Sequence, residues 1–297
     1  MINKETNDPR KRFYSQGYPS QEQDTPALQE DMIPNPDAGE ESYVGNNILK
    51  GKRALVTGGD SGIGRAAAIA YAREGADVAI QHLPGEEKDA KEVEAYIKEA
   101  GQRSLLLPAD FREEGTGQQV VKDTLAEFGG IDILVLNSAQ QIAQNSLEDL
   151  TMEQIRNTFE VNIISMYESV KAVEKHLEPG ASIILTTSVQ SFEPSTVFMD
   201  YAATNAAISN FIVNLAHYFG PKGIRVNGIA PGPIWTPLQL DGGQPEGALP
   251  EFGEGSPLGR AGQPVELAPV YVLLASDDAS YINGSIYGIT GGQGITL

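Results

Sequence analysis

The stretch RALVTGGDSGIGRAAAIAYAR, residues 53–73, constrains the fold more than any other. A short strand-like run enters the turn Thr57-Gly58-Gly59-Asp60-Ser61-Gly62-Ile63-Gly64, and an alanine-rich helical pattern follows at once. Glycine allows the tight turn and a close approach of backbone to a ligand. The helix start presents unpaired amides and the positive end of its dipole. A glycine-rich turn is weak evidence alone, but between a first strand and a first helix it sits where α/β sheets bind a dinucleotide pyrophosphate.

The alternation continues along the chain. Strand-like runs at 53–57, 77–81, 104–108, 131–137, 182–188, 225–230 and 285–290 are separated by helical patterns at 62–74, 86–100, 115–128, 152–177, 201–219 and 264–275. This predicts an α/β fold over residues 50–297: a single Rossmann-like, doubly wound domain with a seven-stranded parallel sheet. Residues 1–49 are different, being polar, interrupted by Pro9, Pro19, Pro26, Pro34 and Pro36, and without a sustained period. They form an extended N-terminal arm that either docks its few apolar residues or stays disordered. The Gly- and Pro-rich segment 242–257 reads as a mobile loop beyond a strand's carboxyl end, placed to act as a substrate lid.

Charge and composition narrow the partners. With 21 basic against 40 acidic residues the formal charge is -19, which repels nucleic acid phosphates and anionic membrane surfaces, so neither is expected as a partner. No apolar run is long enough to span a bilayer, and the first thirty residues lack a secretory-type apolar stretch, which predicts a cytoplasmic protein. There is no cysteine, and His82, His176 and His217 have no ligand-like spacing, so no metal site is expected.

Several further segments match one family. The spacing of Gly58, Gly62 and Gly64 resembles the TGxxxGxG turn of the short-chain dehydrogenase/reductases. Asp110-Phe111 looks like that family's adenine contact, and Asn137-Ser138-Ala139 resembles its NNAG segment, with Gln140 in place of the last glycine. Pro231-Gly232-Pro233-Ile234-Trp235-Thr236 resembles its PGxxxT segment, and the likeness covers nearly all of residues 50–297. The arm and the ending LASDDASYINGSIYGITGG look like a long-arm bacterial subgroup. The resemblance implies a nicotinamide dinucleotide held by Gly58, Asp60, Ser61, Gly62, Ile63, Gly64, Asp110, Phe111, Asn137, Ser138, Ala139, Tyr201, Asn205, Pro231, Gly232, Ile234 and Thr236. It also implies a homo-tetramer built on the helices at 152–177 and 201–219 and the final strand region.

The choice of cofactor turns on the end of the second strand, Ile80-Gln81-His82-Leu83. No carboxylate there marks a free ribose 2'-hydroxyl. Asp60 would disfavour a 2'-phosphate, whereas Arg65 and His82 would help hold one; the balance favours NAD(H) over NADP(H). His82 itself reads as a strand-end residue packed against solvent.

Carbonyl reduction needs a proton donor and a partner for the carbonyl oxygen beside the nicotinamide. Ser188 ends a strand and Tyr201 begins a helix thirteen positions later, so both can converge at the sheet's carboxyl edge. By resemblance Tyr201 is the general acid/base, Ser188 bonds the substrate oxygen, and Asn162 holds a water in the proton relay. Gln140, Gln190, Met199, Trp235 and Leu238 are expected around the pocket.

One position departs from the family. Its YxxxK reads Tyr201-Ala202-Ala203-Thr204-Asn205 here, so the lysine that bonds ribose and lowers the tyrosine pKa is replaced by Asn205. A tyrosine near its reference value of about 10 is only about one part in a thousand ionised at pH 7. The expected activity is hydride transfer between a nicotinamide cofactor and a small aldehyde, ketone or alcohol, impaired at this position. A nucleotide-binding protein with little or no turnover is the alternative. An epimerase or dehydratase would require a larger carboxyl-terminal substrate domain and different glycine spacing.

Overall fold

A computed structural model describes residues 8–294; positions 1–7 of the predicted arm and 295–297 of the predicted domain lie outside the described residues. Seven strands form the sheet: β1 (Arg53–Thr57), β2 (Asp77–His82), β3 (Ser104–Pro108), β4 (Ile133–Leu136), β5 (Ser182–Thr186), β6 (Arg225–Pro231) and β7 (Ile286–Ile289). Their order is β3-β2-β1-β4-β5-β6-β7. Every ladder is parallel. The central strands are apolar on both faces, as in the wholly buried Ile133-Leu134-Val135-Leu136 run, because helices cover both sides.

The covering helices are α1 (Gly62–Arg73), α2 (Glu87–Glu99), α3 (Thr116–Phe128), α4 (Met152–Phe159), α5 (Ser165–Val173), α6 (Met199–Phe219) and α7 (Ala268–Ala275). Alternate residues of one strand serve opposite layers. Val56, Val135 and Ile184 pack with α1, α2 and α7. Leu55, Leu134 and Leu185 pack with α3, α5 and α6. Strand order reverses between β1 and β4, and the crevice beyond their carboxyl ends is where ligands of such sheets bind.

The helix expected over 152–177 is divided into α4, a π-helical turn at Glu160–Ile164, α5 and a short 3-10 turn at Glu174–His176. A π-turn carries an extra residue per turn and often marks a functional position. Asn162 lies inside it. Strands β4 and β5 stop earlier than the apolar pattern suggests, since Asn137, Thr187 and Ser188 leave the ladder to face the crevice.

The arm docks along the domain. It has too little apolar surface for a core of its own, so it completes one with the domain: Tyr18, Ala27 and Met32 pack with Trp235, Leu240, Leu249 and Ala261. Tyr18 stacks on Trp235 with centroids 3.9 Å apart. Arg260 donates from Nε and Nη2 to the Pro9 carbonyl at 2.9 and 2.8 Å, and Arg73 donates from Nη1 to the Gly39 and Tyr43 carbonyls at 2.7 and 2.6 Å. The predicted lid is also anchored. It contains a 3-10 turn at Leu249–Glu251 with Leu249 buried, and Phe252 reaches the same aromatic cluster.

Candidate active site

A cavity of about 710 Å³ opens at the carboxyl ends of the strands. Its floor is the glycine turn. Thr57 Oγ1 accepts from the amides of Asn137 and Ser138 at 2.9 and 3.1 Å, tying β1 to β4 across the point where strand order reverses. A methyl group at Gly64 would come within 1.8 Å of the Gly58 carbonyl oxygen, and one at Gly59 within 2.6 Å of Ile80. Gly62 has φ 52° and lies against Thr236, whose Cγ2 a methyl there would meet at 2.9 Å. The turn therefore has no room for side chains at Gly59, Gly62 and Gly64, and it brings the main chain of a helix start beside the cavity, where a phosphate group can approach it closely.

Most of the motif residues meet in this cavity. Gly58, Asp60, Ser61, Gly62 and Ile63 line it with Asp110, Phe111, Asn137, Ser138 and Ala139, and with Pro231, Gly232, Ile234 and Thr236. Asn162, Ser188, Tyr201 and Asn205 line it too. Gly64 does not; it lies beneath the turn and allows it to close. Of the expected pocket residues, Gln140, Gln190 and Leu238 face the cavity. Met199 and Trp235 do not. Met199 is 39% exposed on the first turn of α6. Trp235 is fully buried under the arm, with Nε1 donating to the Pro34 carbonyl at 2.7 Å.

Two expectations about the second strand's end are overturned. His82 is buried rather than facing solvent, with Nδ1 3.0 Å from the Leu83 carbonyl oxygen. Arg65 is buried and paired with Glu40 of the arm at 2.7 Å and Glu92 of α2 at 3.0 Å, so its charge is already matched. Neither faces the cavity. Gln81, which carries no motif signature, organises this corner. Its Oε1 accepts from the Gly58 amide at 3.0 Å and from Ser138 Oγ at 2.7 Å, and its Nε2 donates to the Ala109 carbonyl at 2.7 Å. Only its place opposite the turn, at the end of β2, could have suggested this.

Acidic groups gather beside the turn. Burial raises the Asp60 carboxyl well above the usual carboxylate range, and the charge of Asp89 adds to the rise. Glu86 is raised too, first by burial and then by Asp60. Asp60 Oδ2 is buried without a hydrogen-bond partner. Arg112 is the one basic side chain among the described residues that line the cavity, and it is paired with Asp110 at 2.6 Å.

At the other end, Tyr201 lies on the first turns of α6. Burial pushes its phenol above the ordinary 10, while hydrogen bonds with Ser188 and Asn205 act in the opposite direction. Ser188 Oγ accepts from the Gln190 amide at 3.2 Å, which orients the hydroxyl at the end of β5. The Asn162 amide is engaged within the protein: Oδ1 accepts from the Gln140 amide at 2.7 Å, and Nδ2 donates to the Gln140 carbonyl at 3.1 Å and to Thr204 Oγ1 at 3.0 Å. It clamps the segment after β4 onto α6. The site thus joins a glycine turn at a helix start to a buried serine and tyrosine, groups able to hold and protonate a carbonyl oxygen.

Comparison with known proteins agrees with this geometry. A family model described as enoyl-(acyl carrier protein) reductase matches residues 58–293. An uncharacterized oxidoreductase, YhxD of Bacillus subtilis (strain 168), is 54% identical over 98% of this chain and 99% of its own length. A second, YghA of Escherichia coli (strain K12), is 50% identical over 96% of this chain and 97% of its own. Among solved structures, a short chain dehydrogenase from Burkholderia cenocepacia J2315 in complex with NADP has a TM-score of 0.77 at 33% identity, covering 82% of this chain and 98% of that one. A blue fluorescent protein from a metagenomic library in complex with NADPH has a TM-score of 0.76 at 27% identity over the same shares of the two chains.

Proposed function

Since this chain belongs to the short-chain dehydrogenase/reductase family, we propose that its cavity transfers a hydride between a nicotinamide dinucleotide and a small aldehyde, ketone or alcohol. The observation that carries this reading is the opening of Ser188 and Tyr201 into the same cavity as the glycine turn. When bound, the dinucleotide supplies or accepts the hydride. In reduction, Ser188 holds the carbonyl oxygen and the Tyr201 hydroxyl gives it a proton. In oxidation the proton travels back, and Tyr201 must first be ionised. Burial opposes that step, and residue 205 brings no positive charge to favour it. Asn162 is a positioning residue in this scheme, since it holds Gln140 and Thr204 in place. Residues 50–294 supply this machinery and residues 8–49 the arm that braces it.

The cofactor assignment moves from NAD(H) toward NADP(H). Two similar structures hold NADP or NADPH. Burial that favours protonation of Asp60 and Glu86 also lessens their repulsion of a 2'-phosphate. A homo-tetramer is supported by Ile164, Tyr167, Val213 and Tyr218, apolar side chains exposed along α5 and α6 and the turn before α5.

The test is oxidation of NADPH and NADH against a panel of small aldehydes and ketones from pH 6 to 10, beside Asn205→Lys. Turnover that depends on Tyr201 supports the proposal. The second reading, a nucleotide-binding protein with little turnover, is favoured by Asn205, whose Nδ2 bonds the Tyr201 carbonyl at 2.9 Å. Tight nucleotide binding without turnover in either protein would establish it.

A further inference from the structure

Three residues of the arm, Thr25, Pro26 and Ala27, form part of the wall of the cavity that Asp60, Gly62, Leu83 and Glu86 also line. This stretch is fixed at both ends. Thr25 Oγ1 donates to Oδ1 of Asp241, which lies beyond β6. Four residues later, Gln29 Oε1 accepts from the Gly62 amide at 2.7 Å, and the Gln29 amide donates to Asp89 Oδ2 on α2 at 2.6 Å. Between these anchors Pro26 sits against Gly85, where an added methyl would approach its ring at 2.9 Å. In the sheet, β6 and β2 stand on opposite sides of β1. A segment touching the loop after β6, the loop after β2 and the start of α1 therefore bridges the mouth of the glycine turn.

We infer that residues 25–29 belong to the dinucleotide site as a strap over its adenosine half, latched by Thr25 to Asp241, and that cofactor enters and leaves only when this latch opens. The end of β2 and its Glu86 neighbourhood mark the adenosine-ribose end of such a crevice, which is why the strap covers that half. Both rims are secured by other contacts of the arm, with Ala27 and Leu240 packed beside Tyr18, which leaves the latch as the anchor of this stretch that solvent reaches. Thr25 is exposed and accessible to exchange. Both capture and release of cofactor pass through this latch. The inference rests on the dinucleotide reading given above.

The chain contains no cysteine, so Thr25→Cys combined with Asp241→Cys introduces a single pair that an oxidant can close. The protein is loaded with NADPH, and separately with NADH, then oxidised, desalted and diluted into unlabelled nucleotide while the nicotinamide fluorescence is followed. Expected results are retention through desalting, release slowed at least about tenfold relative to the reduced protein, and failure of the empty oxidised protein to take up nucleotide. Asp241→Ala, lacking one hydrogen bond to a charged acceptor, is expected to release nucleotide faster by about tenfold. Equal release rates in the closed and open pair, or an Asp241→Ala protein that releases nucleotide no faster than the parent, would overturn the strap. No binding of either nucleotide to the unmodified protein would instead remove the dinucleotide reading, and the strap with it.

Discussion

Asn205 Nδ2 donates to the main-chain carbonyl of Tyr201, 2.9 Å away and one turn earlier in α6. The amide that stands where the family has a lysine is thus partly engaged by the backbone, and it adds no charge beside the phenol. Burial raises the phenol's pKa, and the hydrogen bonds from Ser188 and Asn205 only partly offset that rise.

A pH profile follows directly. Oxidation of an alcohol needs the ionised tyrosine, whose folded pKa lies above the ordinary 10, so the rate should climb with pH throughout the range below 10 without a plateau. Asn205→Lys should move the rising limb down by one unit or more and increase the rate at pH 8 by about 10- to 100-fold. Identical profiles for the two proteins would count against Tyr201 as the base.

Gln81→Leu tests the corner beneath the glycine turn. Losing this side chain leaves the Gly58 amide, Ser138 Oγ and the Ala109 carbonyl without their partner. These groups are half-buried at the cavity wall, so each costs less than the roughly 1–3 kcal/mol of a fully buried unpaired group, and urea unfolding should show a total loss of about 1–3 kcal/mol. Nucleotide affinity, read by fluorescence titration, should weaken about tenfold. Unchanged stability and affinity would show that the network is incidental.

Gly64→Ala separates folding from nucleotide binding. The added methyl meets the Gly58 carbonyl oxygen, which is backbone and must shift. Circular dichroism should report a folded chain, whereas calorimetry should show nucleotide affinity reduced by about 100-fold. Retained affinity would mean that the turn does not hold the pyrophosphate.

Asp60→Asn carries a signed pH effect. Burial raises the Asp60 pKa in the folded protein, so ionising it there is costly. Its contribution to stability is intact below the unfolded value of about 3.9 and is lost as pH rises through the raised folded value. The variant lacks this loss, so its Tm relative to the parent should increase from pH 5 to pH 9. A constant difference across that range would exclude the linkage.

Removal of Tyr18 tests how firmly the arm is docked. Tyr18 is buried and stacked on Trp235, and replacing a buried aromatic by alanine costs about 3–5 kcal/mol. Tyr18→Ala should lower stability by about 3 kcal/mol and expose the arm to limited proteolysis before the domain is cut.

Much was readable from residue order alone. The alternating periods specified seven parallel strands, because burial on both faces demands continuous apolar runs in strands and apolar stripes on helices. The turn at Gly58 to Gly64 was also visible from its place between a strand and a helix, and the resemblance to the family motifs singled out the serine, tyrosine and asparagine at 188, 201 and 205. Tertiary structure decided the rest. Trp235, in a motif that suggested the pocket, faces the arm because Tyr18 stacks on it from more than two hundred residues away. Arg65 is matched by Glu40, and Gln81 supports the turn across two strands, through contacts that no local period records. The phenol of Tyr201 and the carboxyl of Asp60 are shifted by desolvation, a property of the closed fold. Local pattern carries the periodicity of burial, whereas the identity of each long-range partner exists only once the chain has closed on itself.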